Sequence, residues 1–312
     1  MARNRFLSAK TAADIDQRVE RVLRGLGNPE PPLKLEEVRE LLKLDVGFYT
    51  ADDPSIARQT ISRIRVATIQ VFKRPSLLKE AIEALSLKAL YIPDQKRILL
   101  DAALPILKHR WNEAHEVGHS LLPWHAGMMF GDNSTTLSQH CHEHIEAEAN
   151  FAAGRMLFLR DRFDIEARDS ALCIDTIRSM KGYFGNTLST TLYRFVETAG
   201  QDTPLIGMMS CHPHPERRPS DIQSKEAVRH FIRSPAFGQQ FSAITETDLF
   251  TAIQSYCGAQ RGGPLGQGAL ILEDDNGDRH RFVFETFFNR YEALTLGVYD
   301  AAQPALHQVS TF

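Results

Sequence analysis

The 312-residue chain lacks any apolar run long enough to cross a membrane, and its first residues, MARNRFLSAK, contain no apolar core of signal-peptide length. We therefore expect a cytoplasmic protein that makes no membrane contact. A strong charge of either sign is also lacking, since the net charge is -3. This balance argues against general polyanion binding, so any contact with nucleic acid needs a local basic surface.

Cysteine is scarce and unpaired. The four cysteines lie far apart and form no C-x-x-C pair, so the sequence suggests neither a disulfide framework nor a Cys-rich zinc site. We expect reduced thiols that pack as small apolar groups.

Length and composition predict two domains. A chain of 312 residues with 43% hydrophobic residues exceeds the usual size of one core, and prolines cluster just after residue 200. We predict an α+β domain over residues 1–200 and a smaller α/β domain with an antiparallel sheet over residues 201–312. In the first, helices pack on a small sheet that includes strands at Ala89–Ile92 and Arg97–Asp101.

The second domain carries a hairpin signal. In GALILEDDNGDRHRFVFETF, two strand-like runs flank Asn276-Gly277, a pair that tolerates the positive backbone angles of a type I′ turn. The pattern of Tyr291–Tyr299 predicts a third strand. The pattern of Ser224–Arg233 predicts a helix.

The segment HEVGH, from His115 to His119, carries the strongest chemical signal. Apolar residues recur at helical spacing between Trp111 and Leu122, and on a helix the two histidines lie about 40° apart, one turn above the other. Their imidazoles can converge on one ion. Glu116 points to a different side, where it is placed to act on a water molecule. The pattern predicts a catalytic Zn²⁺ with Glu116 as general base.

A catalytic zinc site needs a third protein ligand. The next helix, predicted at Ser138–Leu159, has an apolar stripe that includes Ile145. Counted from Ile145 in steps of about 100° per residue, Glu148 falls about 60° from the centre of the stripe. Glu146 falls about 100° away and Glu143 about 160°. We expect Glu148 to face inward and to bind the metal.

A run of ligand-type residues, His140-Cys141-His142-Glu143-His144, begins this helix. It is either a solvated turn or a second set of ligands. The thiolate of Cys141 is a candidate inhibitory ligand that fills the open zinc position. The alternative for Cys141 is a buried or idle thiol.

Peptide cleavage also needs a donor for the developing oxyanion and a surface for the substrate. The candidate donors are Tyr183, Tyr193 and Arg194, each of which has a structural alternative. If Arg97–Asp101 is an edge strand, an extended substrate can pair with it.

Basic residues follow one another early in the second domain. These basic residues are Arg217, Arg218, Lys225, Arg229 and Arg233. They are suited to bind the phosphate backbone of a nucleic acid, and Phe231 and Phe237 are candidate stacking partners for its bases. Single-stranded DNA is therefore a candidate activator. A small-molecule sensor and an ordinary solvated face are the alternatives.

Two segments together, RWNEAHEVGHSLLPWH and IEAEANFAAGRMLF, resemble the ImmA/IrrE family of zinc metallopeptidases, and TLSTTLYRFVE is similar to the helix that follows the family's ligands. The resemblance covers roughly residues 35–200. It implies a zincin-like domain with zinc on His115, His119 and Glu148, with Glu116 catalytic, followed by a sensor-like domain. The long segment between the two motifs departs from the family pattern.

The resemblance also implies a substrate. Family members cleave a helix-turn-helix transcriptional repressor after a stress, DNA-damage or phage signal, which relieves repression of a neighbouring operon. The two-domain length is similar to CapP-type members, which accompany antiphage signalling operons. The alternative is a non-enzymatic regulator, in which a structural metal braces the fold and the chain binds a repressor or nucleic acid.

Overall fold

The computed structural model describes residues 2–49, 89–92, 96–102, 106–125, 139–218 and 227–303. The chain divides into two compact units. We call them the motif unit, Leu7–Arg162 with Phe184–Asn186, and the sheet unit, Met1–Phe6, Phe163–Tyr183 and Thr187–Phe312. Helices and strands occur in both units, so the expected α+β class is confirmed.

The motif unit opens with two helices, α1 (Ala9–Gly25) and α2 (Leu35–Leu42). Helix α1 begins where the sequence provides a cap, since the Ser8 hydroxyl accepts a hydrogen bond from the backbone N–H of Thr11 at 3.1 Å. Its buried face, which includes Ile15, follows the helical period.

A three-stranded sheet follows in the motif unit. It contains β2 (Asp45–Tyr49), β3 (Ala89–Ile92) and β4 (Arg97–Asp101), in the order β2-β4-β3. Strand β4 runs parallel to β2 and antiparallel to β3. Because β4 lies between two strands, its backbone groups are already paired, and the expectation that a substrate pairs with it is wrong.

Helices α3 (Ile106–Leu121) and α4 (Gln139–Leu157) carry the two sequence motifs. They approach closely at Gly118, where an added Cβ would lie 2.7 Å from the carbonyl oxygen of Ala149 and 3.3 Å from the Cβ of Ala152. Only a residue without a side chain fits at this contact. The glycine of the HEVGH segment therefore determines which face of α4 meets the histidines.

The sheet unit contains α5 (Asp161–Asp169) from residue 163 onward, most of α6 (Ile174–Phe184), and α7 (Leu188–Ala199). The sequence predicts a domain that ends at residue 200 and includes these helices, whereas the structure groups them with the sheet. Helix α7 packs at Gly207, where an added Cβ would lie 3.0 Å from a Val196 methyl group. The boundary at residue 200 between two separately folding domains stays a prediction.

Six strands form the sheet of this unit: β1 (Ala2–Arg3), β5 (Leu205–Ser210), β6 (Val228–Arg233), β7 (Gly263–Glu273), β8 (Arg279–Phe288) and β9 (Ala293–Gln303). Their order in the sheet is β1-β6-β5-β9-β8-β7. Strand β1 is parallel to β6, and the other neighbours are antiparallel. Pro215–Arg217 forms a short 3-10 helix, and two short α-helices, α8 (Pro235–Gln240) and α9 (Glu246–Ile253), follow β6.

The predicted hairpin is β7 and β8, and β9 is the predicted third strand. The turn differs from type I′, since Gly277 has a φ of +87° and Asn276 has no positive φ. The Asp274 carboxylate instead accepts hydrogen bonds from the backbone N–H groups of Asn276 and Asp278, each at 2.9 Å. The helix expected at Ser224–Arg233 is wrong, because the part described from residue 228 is β6.

The described helices do not include one with both the length and the apolar composition that crossing a membrane requires.

Candidate metal centre

Three donor groups converge between α3 and α4. The Nε2 atoms of His115 and His119 lie 3.1 Å apart. One carboxylate oxygen of Glu146 lies 3.1 Å from Nε2 of His115, and the other lies 3.6 Å from Nε2 of His119. Ligand atoms bound tetrahedrally to zinc at about 2.0–2.1 Å are separated by about 3.3 Å, so these spacings fit a metal centre.

The other ring nitrogen of His115 is already engaged. Its Nδ1 lies 3.0 Å from Oδ1 of Asn150, so the ring N–H donates to the amide oxygen and leaves a lone pair on Nε2. Asn150 follows Glu146 by one turn of α4 and shares its face. One face of α4 therefore supplies both a ligand and the group that orients His115.

Lone pairs and a negative carboxylate meet in a small volume, where a proton or a metal cation among them is stabilising. Burial alone lowers the pKa of His115, but the Glu146 hydrogen bond and the nearby Glu116 carboxylate outweigh burial and raise this pKa. Burial alone raises the pKa of Glu146, but the two imidazoles reverse this and lower it far below its usual range. The site therefore favours positive charge, as a metal-binding centre requires.

Glu116 lies beside this trio without joining it. Its side chain is 6% exposed, and burial raises the pKa of its carboxyl, although the two imidazoles oppose the shift. It accepts a hydrogen bond from the backbone N–H of Tyr91 in β3. A buried carboxylate of raised pKa, held by one hydrogen bond, is suited to accept a proton.

The third ligand position differs from the prediction, because the structure brings Glu146 to the histidines and not Glu148. Measured from Ala149, which contacts Gly118, Glu146 lies about 60° to one side of α4 and Glu148 about 100° to the other. Ile145 lies about 40° from Ala149 toward Glu148, so counting from Ile145 favoured the wrong glutamate.

Glu148 contacts a second layer behind His119. Its Oε2 accepts hydrogen bonds from Nε1 of Trp124 at 2.6 Å and Nε2 of His125 at 2.8 Å. His125 Nδ1 in turn lies 2.9 Å from Nδ1 of His119. Burial lowers the pKa of His125 to about 4, so this ring is neutral near pH 7.

Sequence reasoning missed His125 and Asn150. A signal for Asn150 was present, since it lies four residues after Glu146, the spacing of neighbours on one helix face. His125 falls in a helical turn at residues 123–125, just beyond α3. The direction of the His125 side chain depends on that turn, and helical periodicity does not predict the turn.

The residues that begin α4 are partly described. The side chains of His140, Cys141 and His142 lie outside the described residues, so the inhibitory role of Cys141 stays a prediction. Glu143 is half-buried and His144 is exposed, and neither joins the trio. Among the cysteines with described side chains, Cys173, Cys211 and Cys257 are free thiols.

The three oxyanion candidates belong to the sheet unit. Tyr183 is 52% exposed. The Tyr193 ring packs edge-on against His230 at 6.4 Å between centroids, and burial raises the pKa of its hydroxyl. Arg194 lies 3.7 Å from Asp164 in an ion pair. These contacts are structural, and an oxyanion role stays a prediction.

The basic residues of the sheet unit have varied surroundings. Arg217 donates to the carbonyl of Ala259, Arg218 lies over the ring of Phe250, Arg229 is largely exposed near Glu292, and Arg233 is half-buried in β6. Lys225 lies outside the described residues. Phe231 and Phe237 are 0% exposed, so the expectation that they stack on bases is wrong.

Comparisons with known proteins leave the family open. No family model and no curated protein matches the chain. A solved structure described as "Mycobacterium tuberculosis transcriptional regulator" is similar over 96% of this chain and 92% of its own, at 16% identity and a TM-score of 0.47. A likeness at this level carries no argument about function. Membership of the ImmA/IrrE family stays a prediction.

Proposed function

We propose that this chain is a zinc-dependent endopeptidase with a zincin-like motif unit. The observation that carries the proposal is the convergence of His115, His119 and Glu146 with a buried Glu116 directly beside them. Two imidazoles and one carboxylate are the ligand chemistry of catalytic zinc sites. A structural zinc usually has four protein ligands and needs no neighbouring base, so three ligands support catalysis.

Zinc held by these three side chains would supply Lewis acidity toward water and a peptide carbonyl. Glu116 takes the proton of the attacking water and passes it to the leaving nitrogen. Burial raises the pKa of Glu116, which makes its carboxylate a stronger base than an exposed one. The Tyr91 N–H holds that carboxylate in place through the transfer.

The proposed substrate is a helix-turn-helix transcriptional repressor, cut in response to a stress, DNA-damage or phage signal. This part of the proposal is supported by the resemblance of the two motif segments to the ImmA/IrrE family. Relief of repression at a neighbouring operon follows from loss of the repressor. Single-stranded DNA and a small molecule are the two proposed activators.

The decisive experiment is Glu116→Gln in the full chain, assayed on the helix-turn-helix repressor that the proposal places beside its gene, with the activating signal present. The variant keeps all three ligands, so we expect zinc to remain bound at wild-type stoichiometry by elemental analysis. Cleavage should fall by about 10²–10⁴-fold, because the proton carrier is lost. Glu166→Gln, the same change at an exposed site on α5, is the matched control and should cleave normally.

The rival function is a non-enzymatic regulator with a structural metal. If the protein is such a regulator, the Glu116→Gln variant should relieve repression of the operon as the wild type does, and the repressor should stay intact. That outcome would overturn the endopeptidase proposal.

A further inference from the structure

Behind His119 lies an ordered series of hydrogen bonds that the proposed chemistry does not use directly. Trp124 and His125 both reach the same carboxylate oxygen of Glu148, at 2.6 and 2.8 Å. The other ring nitrogen of His125 lies 2.9 Å from Nδ1 of His119. The side chain of His125 is 0% exposed, so its ring has no alternative partner in solvent.

The direction of each hydrogen bond follows from the chemistry of the groups. An indole N–H only donates, so the Glu148 oxygen accepts from Trp124 and also from Nε2–H of His125. A neutral imidazole with its hydrogen on Nε2 has a lone pair on Nδ1. His125 therefore accepts from His119, which places the His119 hydrogen on Nδ1 and a lone pair on Nε2.

We propose that Glu148, acting through His125, positions His119 by holding it in the Nδ1–H tautomer, so that Nε2 is the atom offered to a metal. Glu148 and His125 are thus positioning residues rather than ligands, and the inference rests on the proposed metal centre. The ring of Trp124 anchors the series, with the Arg18 guanidinium 5.0 Å from its centroid.

The arrangement complements the one at His115. There Asn150 accepts the Nδ1 hydrogen directly, whereas at His119 a second histidine lies between the ligand and the carboxylate. Both ligands are therefore preset with Nε2 facing Glu146. Groups that orient a metal ligand in this way typically change metal affinity by about 10–100-fold when they are removed.

The test uses the full chain, Zn²⁺ alone as the probe, and three variants. His125→Leu removes both hydrogen bonds. His125→Gln keeps an acceptor for His119 and a donor for Glu148, so it is the conservative rescue. Glu148→Gln keeps the shape of the acceptor and removes its negative charge.

Two readouts are needed. Zinc affinity is measured by competition with a chromophoric chelator, and the His119 tautomer is measured by long-range ¹H–¹⁵N NMR on metal-free protein. We expect His125→Leu to weaken zinc binding by about 10–100-fold and to give a mixed His119 tautomer. His125→Gln should recover most of the affinity and the Nδ1–H form, and Glu148→Gln should show a smaller loss in the same direction.

The inference is overturned if His125→Leu binds zinc with wild-type affinity, or if His125→Gln loses as much zinc affinity as His125→Leu does. In either case the hydrogen bonds of His125 do not position His119. If His125→Leu does not fold, the His119 tautomer in Glu148→Gln decides the question, and an unchanged tautomer counts against it. Neither readout involves cleavage. The positioning role can therefore fail while the endopeptidase proposal stands, and the reverse also holds.

Discussion

At the scale of single residues, two glutamates two positions apart on α4 have different surroundings. Glu146 faces the imidazole pair, and Glu148 faces Trp124 and His125. Both are carboxylates on the flank of the same buried stripe, so composition and spacing alone do not separate their roles. The difference arises because α4 meets α3 at Ala149, between the two.

This assignment predicts a loss of metal binding in Glu146→Ala. Removal of one of three ligands should lower zinc affinity by more than about 100-fold, because loss of a group that only orients a ligand already costs about 10–100-fold. The measurement is chelator competition. The matched control is Glu143→Ala, one turn earlier on α4, which should bind zinc as the wild type does. Retention of full affinity in Glu146→Ala would remove this residue from the site.

At the scale of helices, the contact between α3 and α4 positions the ligands. Gly118 allows the backbone of α4 to approach within van der Waals distance, and a methyl group at this position meets a backbone carbonyl that cannot rotate away. The distance between the histidine pair and Glu146 is therefore determined by the absence of a side chain at residue 118.

We predict that Gly118→Ala lowers the free energy of unfolding by about 1–2 kcal/mol. The added Cβ would lie 2.7 Å from a carbonyl oxygen, and relieving this clash costs more free energy than the higher helix propensity of alanine returns. The substitution should also weaken zinc binding, since the helices are forced apart. Chemical denaturation and chelator competition test the two parts. Gly182→Ala is the matched control, because an added Cβ meets nothing within 4 Å there. A Gly118→Ala variant more stable than the wild type contradicts this account.

A second link joins α1 to the end of α4. Asp16 pairs with Arg155, whose side chain is 8% exposed, and with Arg160. Leu159 and Arg160 adopt left-handed backbone angles, which end α4 and turn Arg160 back toward Asp16. Burial raises the pKa of Asp16, but the hydrogen bonds and charges of the two arginines outweigh it and lower this pKa.

We predict that Asp16→Asn destabilises the motif unit by about 2–3 kcal/mol at neutral pH, because the nearly buried Arg155 loses one of its carboxylate partners and keeps the exposed Asp161. Since the folded pKa of Asp16 is lowered, its contribution is present above the unfolded value near 3.8 and is lost as the pH falls through the folded value. The difference between wild type and variant should thus shrink in acid. Denaturation across pH measures it, and a difference independent of pH contradicts the proposed cause.

At the scale of the whole molecule, the two compact units predict a local response to metal removal. The three proposed ligands lie in the motif unit, so the proposed zinc should stabilise that unit by about 2.7 kcal/mol at a free concentration 100 times its Kd. Hydrogen exchange in α3 and α4 should accelerate by up to about 100-fold on chelation. Amides of β7, β8 and β9 provide the internal control. Equal acceleration in both units contradicts this prediction.

Much of the chain was predictable from local pattern. The helix that carries HEVGH, the strands Ala89–Ile92 and Arg97–Asp101, and the hairpin of β7 and β8 follow from periodicity and turn residues, which act over a few neighbours. The histidine pair was predictable for the same reason, since four residues on a helix return to one face.

The choice between Glu146 and Glu148, the contact of His125 with His119, and the grouping of α7 with the sheet all required the folded structure. Each depends on where two elements touch, and a rotation of about 40° about a helix axis is enough to exchange one flank for the other. Helical periodicity determines which residues share a face. The contact at Gly118 determines which part of that face meets the ligands, and it arises only when distant segments pack together.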